Sequence, residues 1–134
     1  MRTILCFGNE FVAGDSFAKV LAVELQSSDF LLKPCDSVEE VLRYREDHPK
    51  EQVLIMDVMK GIASPLLVTD LSRIRGTSSA SLHDFDLAFF LKLLEATGQL
   101  GPVAIICVPM EGNLEMIKCQ VQDILKSIPS QESA

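Results

Sequence analysis

CFGNEFVAGDSFAKVLAVELQ, Cys6 to Gln26, reads as the end of a strand, a short loop and a helix. The apolar run Arg2 to Phe7 (RTILCF) stops at Gly8-Asn9, and it shows no polar alternation, as a strand buried on both faces requires. From Ser16 the apolar residues Phe17, Val20, Leu21, Val23 and Leu25 recur mostly at helical spacing. Asp15 stands just ahead of them, placed to accept hydrogen bonds from the first helical turn. A buried strand that hands over through a glycine turn to an amphipathic helix is how an α/β domain builds a site at the carboxyl edge of its sheet.

The same alternation extends along the chain. Asp29 to Lys33 reads as a second, short strand, and Ser37 opens a helix over Val38 to Glu46, with Glu40 at the capping-box position. Val53 to Met59 (VLIMDVM) is a central strand with Asp57 at its carboxyl end, and Pro65 to Thr69 (PLLVT) is a further strand after Gly61. Ile74 to Ser81 (IRGTSSAS) has loop chemistry and leads into Leu82-His83-Asp84. Phe85 to Thr97 is a strongly apolar helix stopped by Gly98, Val103 to Val108 is a buried strand, and Leu114 to Ile128 is a closing amphipathic helix. The pattern predicts a three-layer α/β sandwich: a mainly parallel, twisted sheet of about five strands with helices on both faces. One domain is expected over residues 1–128, with a polar tail over 129–134.

Composition narrows the function classes. At 134 residues and 48% hydrophobic residues the chain can bury a substantial core, and it has no stretch approaching a membrane span. A formal charge of -7 argues against nucleic-acid binding, because no basic face is available to release phosphate counterions. Asn9 and Glu10 interrupt the first apolar run before it could form a signal-peptide core, so a cytoplasmic protein is expected. Cys6, Cys35, Cys107 and Cys119 lie far apart with no C-x-x-C pair, which suggests buried thiols rather than a zinc knuckle or a dithiol redox motif.

Asn9, Asp15, Asp57 and His83 all fall where the strands end. Two carboxylates and an imidazole are an oxygen-and-nitrogen set that suits zinc, nickel or manganese, although no local motif such as H-E-x-x-H fixes their geometry. Each has a plainer role available. Asp15 can serve as a helix N-cap, and His83 can cap or pack. Asp57 is the exception, because an ionisable group at the end of VLIMD is costly to bury unless a partner or ligand uses it. His48, in EDHPKEQ, belongs to a solvated turn, and Glu10 reads as a loop carboxylate within reach of the same edge. GNEFVAG is neither G-x-G-x-x-G nor a P-loop, and TSSAS has no G-x-S-x-G elbow. Nucleotide binding and serine hydrolysis therefore lack support.

Taken in order, these residues resemble the [NiFe]-hydrogenase maturation proteases. The shared features are the Gly8-Asn9 turn, Gly14-Asp15-Ser16 opening a helix, VLIMD ending in Asp57, a Ser/Thr-rich loop ending in His83, an apolar helix and the VAIICV strand. The resemblance runs from Arg2 to about Met110. It implies a phosphorylase/hydrolase-like fold and an endopeptidase that trims a C-terminal extension from a hydrogenase large-subunit precursor once nickel is inserted. It further implies that Asp15, Asp57 and His83 form the catalytic and metal-contacting set. On this resemblance nickel arrives with the precursor, and the protein holds no tight cofactor of its own. The chain departs from the family in having Gly14 and Ser16 rather than a second acidic residue beside Asp15, and in having no glycine in LKPCDSVEE after the second strand.

Two other readings compete. The length, the alternation and SVEEVLRYREDHPKEQVLIMDVMKG also suit a receiver domain with Asp57 as phosphoacceptor. A receiver, however, needs an acidic pair after the first strand, where this chain has Gly8-Asn9 and only Glu10 beyond. A non-catalytic nickel-checking chaperone on the same fold is the other reading.

Overall fold

The computed structural model describes residues 2–70 and 91–128. Among these residues five strands form one sheet: β1 (Arg2–Phe7), β2 (Phe30–Cys35), β3 (Val53–Met59), β4 (Leu66–Val68) and β5 (Val103–Pro109), in the spatial order β2-β1-β3-β5-β4. All pairings are parallel except β4 on β5. The helices are α1 (Phe17–Leu25), α2 (Glu39–Asp47), α3 (residues 91–96) and α4 (Leu114–Ser127), and a 3-10 turn covers Asn9–Phe11. The expected three-layer α/β sandwich is therefore present.

The central strands are apolar on both faces because both faces are covered. Ile4 and Cys6 of β1 with Leu54, Met56 and Val58 of β3 pack with Ala18, Leu21 and Leu25 of α1 and Ile117, Val121 and Leu125 of α4. The intervening residues Leu5, Phe7, Val53 and Ile55 pack on the other side with Val41 of α2 and Leu91 and Leu94 of α3. The distribution of helices follows from chain direction. β1 to β2 runs one way across the sheet and β2 to β3 runs back past β1. Right-handed crossovers in opposite directions put their helices on opposite faces.

Local expectations are adjusted at several boundaries. β2 is displaced and extended to 30–35, and the PLLVT strand shrinks to Leu66–Val68 as an antiparallel edge. The Ser37 hydroxyl accepts from the Glu39 N–H at 3.2 Å, but the reciprocal half of the capping box is absent. The Glu40 carboxylate instead pairs with Lys33 at 3.4 Å, and the helix starts one residue late. Helix α3 ends as the sequence predicts. Gly98 at φ 76 lets its N–H reach Glu95 O (3.1 Å) and the Gln99 N–H reach Leu94 O (2.9 Å), the paired bonds of a Schellman stop. Three cysteines are buried as expected, but Cys119 is exposed. The amino-terminal part of the apolar helix expected over 85–97, His83 and the tail 129–134 lie outside the described residues.

Candidate functional site

The strand order reverses between β1 and β3, and in open α/β sheets the crevice beyond the carboxyl ends at such a reversal is where ligands bind. Two features meet there. β1 ends at Phe7 and turns through Gly8, while Asp57 of β3 lies directly opposite Phe7 on one side and Cys107 of β5 on the other. Asp57 is only 8% exposed and shares the sheet face of Val53 and Ile55. Its Oδ1 accepts from the Val58 N–H at 3.0 Å, which fixes the orientation of the carboxylate.

Gly8 is required by this arrangement. Its φ of 121° is unfavourable for residues with a Cβ, and a Cβ there would lie 2.7 Å from Glu10 Oε1 and 3.9 Å from Asp57 Oδ1. The glycine therefore lets two carboxylates approach one point at the mouth of the crevice. Glu10 is carried into position by the 3-10 turn, whose Phe11 and Val12 N–H groups bond Gly8 O and Asn9 O at 3.1 and 3.0 Å. The Ser16 hydroxyl donates to Glu10 O while accepting from the Lys19 N–H at 3.1 Å. One side chain thus caps α1 and ties the Glu10 loop to it.

This corrects the capping role expected of Asp15. Ser16 is the N-cap of α1, and Asp15 is an exposed loop residue just before it. Ser16 prevails because its short side chain satisfies two local partners at once, whereas a carboxylate one position earlier lies beyond the cap. The residue that sequence reasoning undervalued is Glu10, which the structure brings beside Asp57. The available signal was its place two residues after a glycine that ends a buried strand. Of the sequence-derived set, Asp57 stands at the crevice, Asp15 lies on the adjoining loop, and His83 is outside the described residues. Among the described residues no three of His, Cys, Asp and Glu are grouped to hold a metal ion.

Nearby thiols do not add reactive groups. Burial, reinforced by the charge of Glu40, pushes the Cys35 thiol up to about 12, and burial also raises Cys6 well above the usual thiol range. Both remain protonated near neutrality. No helix among the described residues is long and apolar enough to cross a membrane.

No protein-family model matches the sequence, and no curated relative matches it. Among solved structures, the hydrogenase maturating endopeptidase HybD from E. coli is similar at a TM-score of 0.53 and 16% identity, over 95% of this chain and 91% of that one. At that identity the likeness speaks for architecture. This chain has the α/β fold of the hydrogenase maturating endopeptidase HybD.

Proposed function

We propose that this protein is an endopeptidase that removes the C-terminal extension of a [NiFe]-hydrogenase large-subunit precursor after nickel insertion. The observation that carries the proposal is Asp57, a largely buried carboxylate at the reversal of strand order, in a chain with the fold of a hydrogenase maturating endopeptidase. The order of Gly8-Asn9, Asp15, Asp57 and His83 along the sequence adds to it.

In this proposal the precursor's nickel is part of the substrate. Asp57 offers it a fixed carboxylate oxygen, Asp15 a second from the loop before α1, and His83 an imidazole nitrogen, a donor set suited to nickel. Three ligands leave positions for the precursor's own groups, so a loaded precursor engages the crevice and an empty one does not. Held by Asp15, Asp57 and His83 together with the precursor's own groups, such an ion would supply Lewis-acid chemistry, polarising a carbonyl or activating a water. The protein works on another soluble protein in the cytoplasm and needs no cofactor of its own.

The topology weighs against the receiver alternative. Receivers have parallel strands in the order 2-1-3-4-5, whereas the fourth strand here is antiparallel and lies at the edge beyond the fifth. A nickel-checking chaperone would bind the loaded precursor without shortening it. The test is processing of loaded precursor by Asp57→Asn and His83→Ala. Both variants should fold and leave the precursor at full mass, and complete processing by both would refute the assignment.

A further inference from the structure

Beyond Asp57 the sheet's carboxyl edge carries a cleft of about 340 Å³, lined by Lys60, Gly61, Ile62, Met110 and Glu111. It lies where the turn after β3 faces the turn after β5. Lys60 follows Asp57 by three residues, a span of at most ~11 Å even in extended chain. Two of its lining residues are apolar: Ile62 packs against the α2–α3 side of the core, and Met110 is 37% exposed. Its rim carries opposite charges, and Lys60 belongs to neither ion pair formed among the described residues, Lys33–Glu40 and Lys118–Glu24. The two turns are shaped by glycine. Gly61 has φ 83, and Gly112, just past Glu111, has φ 145 with Ile117 Cδ1 only 2.7 Å from where a Cβ would stand.

We infer that this cleft is a specificity pocket for one apolar side chain of the precursor tail, within about three residues of the scissile bond. The inference rests on the endopeptidase function proposed above. The volume is at the lower end of that of small-molecule sites, which suits a single side chain better than a nucleotide or a large cofactor. The rim charges oppose each other, so neither an acidic nor a basic tail residue gains a net partner, and contact with Ile62 and Met110 decides. Successive residues of an extended peptide advance ~3.3 Å, so about three of them span the reach from Asp57 to Lys60 at the cleft.

The experiment uses the full chain and the nickel-loaded large-subunit precursor of the same organism. Met110→Asp should raise KM about tenfold with little change in kcat, because the contact binds ground and transition states alike. Met110→Leu should process normally. Each of the first three residues on either side of the cut is then replaced by lysine in turn. One position should be processed poorly by the natural protein and recovered by Met110→Asp. If the natural protein shortens loaded precursor and Met110→Asp does so with unchanged KM, or no lysine position is recovered, the pocket assignment is wrong and the endopeptidase stands. If the natural protein shortens nothing, both are overturned.

Discussion

The two edges of the sheet treat charge in opposite ways. At the amino edge a single guanidinium is consumed by backbone. Arg45, 8% exposed, donates to the carbonyls of Leu100 (2.7 Å), Pro102 (2.6 Å), Glu51 (2.5 Å), Pro49 (3.3 Å) and His48 (3.4 Å). It closes the loop after α2 onto the loop before β5, and Gly101 leaves room for it, since a Cβ there would lie 2.9 Å from Arg45 Cζ. At the carboxyl edge two carboxylates, Glu10 and Asp57, converge over Gly8. A guanidinium ringed by carbonyls ties two loops of the chain together, whereas the two carboxylates meet at the open end of the sheet, where strand order reverses. On the proposed function, the first edge serves stability and the second serves the substrate.

The contrast is broken most sharply by exchanging the losses. Arg45→Ala should destabilise the fold by about 2–3 kcal/mol, because the buried Leu100 carbonyl and several half-buried ones lose their donor, and chemical denaturation would register it. Asp57→Asn should abolish processing and leave the denaturation midpoint within about 0.5 kcal/mol of the original. If Arg45→Ala proved harmless to folding, or Asp57→Asn unfolded the chain, the two edges would not differ as described.

Gly8→Ala probes the carboxyl edge from the backbone. A positive φ and a Cβ crowding Glu10 should cost about 1–3 kcal/mol and slow processing by displacing Glu10 from Asp57, measured as melting temperature and initial rate. Ser16→Ala should cost about 1 kcal/mol through the lost cap, and Ser16→Asp, which can still cap, should recover most of it.

The smallest effects concern the thiols. Cys119 should react promptly with a thiol reagent in the native protein, while Cys6, Cys35 and Cys107 wait for denaturant. Cys35 is raised from 9.0 to about 12 in the folded chain, so its contribution to stability is fully present below pH 9. That contribution is lost as pH rises toward 12, because the unfolded thiol ionises first. Denaturation midpoints taken across that window should fall, and Cys35→Ser should flatten the fall.

Much of the architecture was legible because the signals were redundant. ILCF, VLIM and VAIICV are unbroken apolar runs, as strands covered on both faces require, and the helix after Ser16 carries its own period. The antiparallel turn of β4 was not legible, since three residues at an edge carry no mark of direction. Asp57 was found because a carboxylate ending an apolar strand contradicts its surroundings. Glu10 was read only as a loop carboxylate within reach of the edge, because its position beside Asp57 depends on the positive φ of Gly8 and the hydroxyl of Ser16, which fold the loop back on itself. Ser16 and Asp15 are adjacent and both favoured at helix starts, so composition could not separate cap from loop.

The most direct test of the central claim is the mass of a large-subunit precursor after incubation with the purified protein, with and without nickel in the precursor. A carboxyl edge that works on nickel-bearing substrate predicts shortening of the loaded form alone. Equal shortening of both forms would show that nickel is not sensed, and shortening of neither would contradict the endopeptidase.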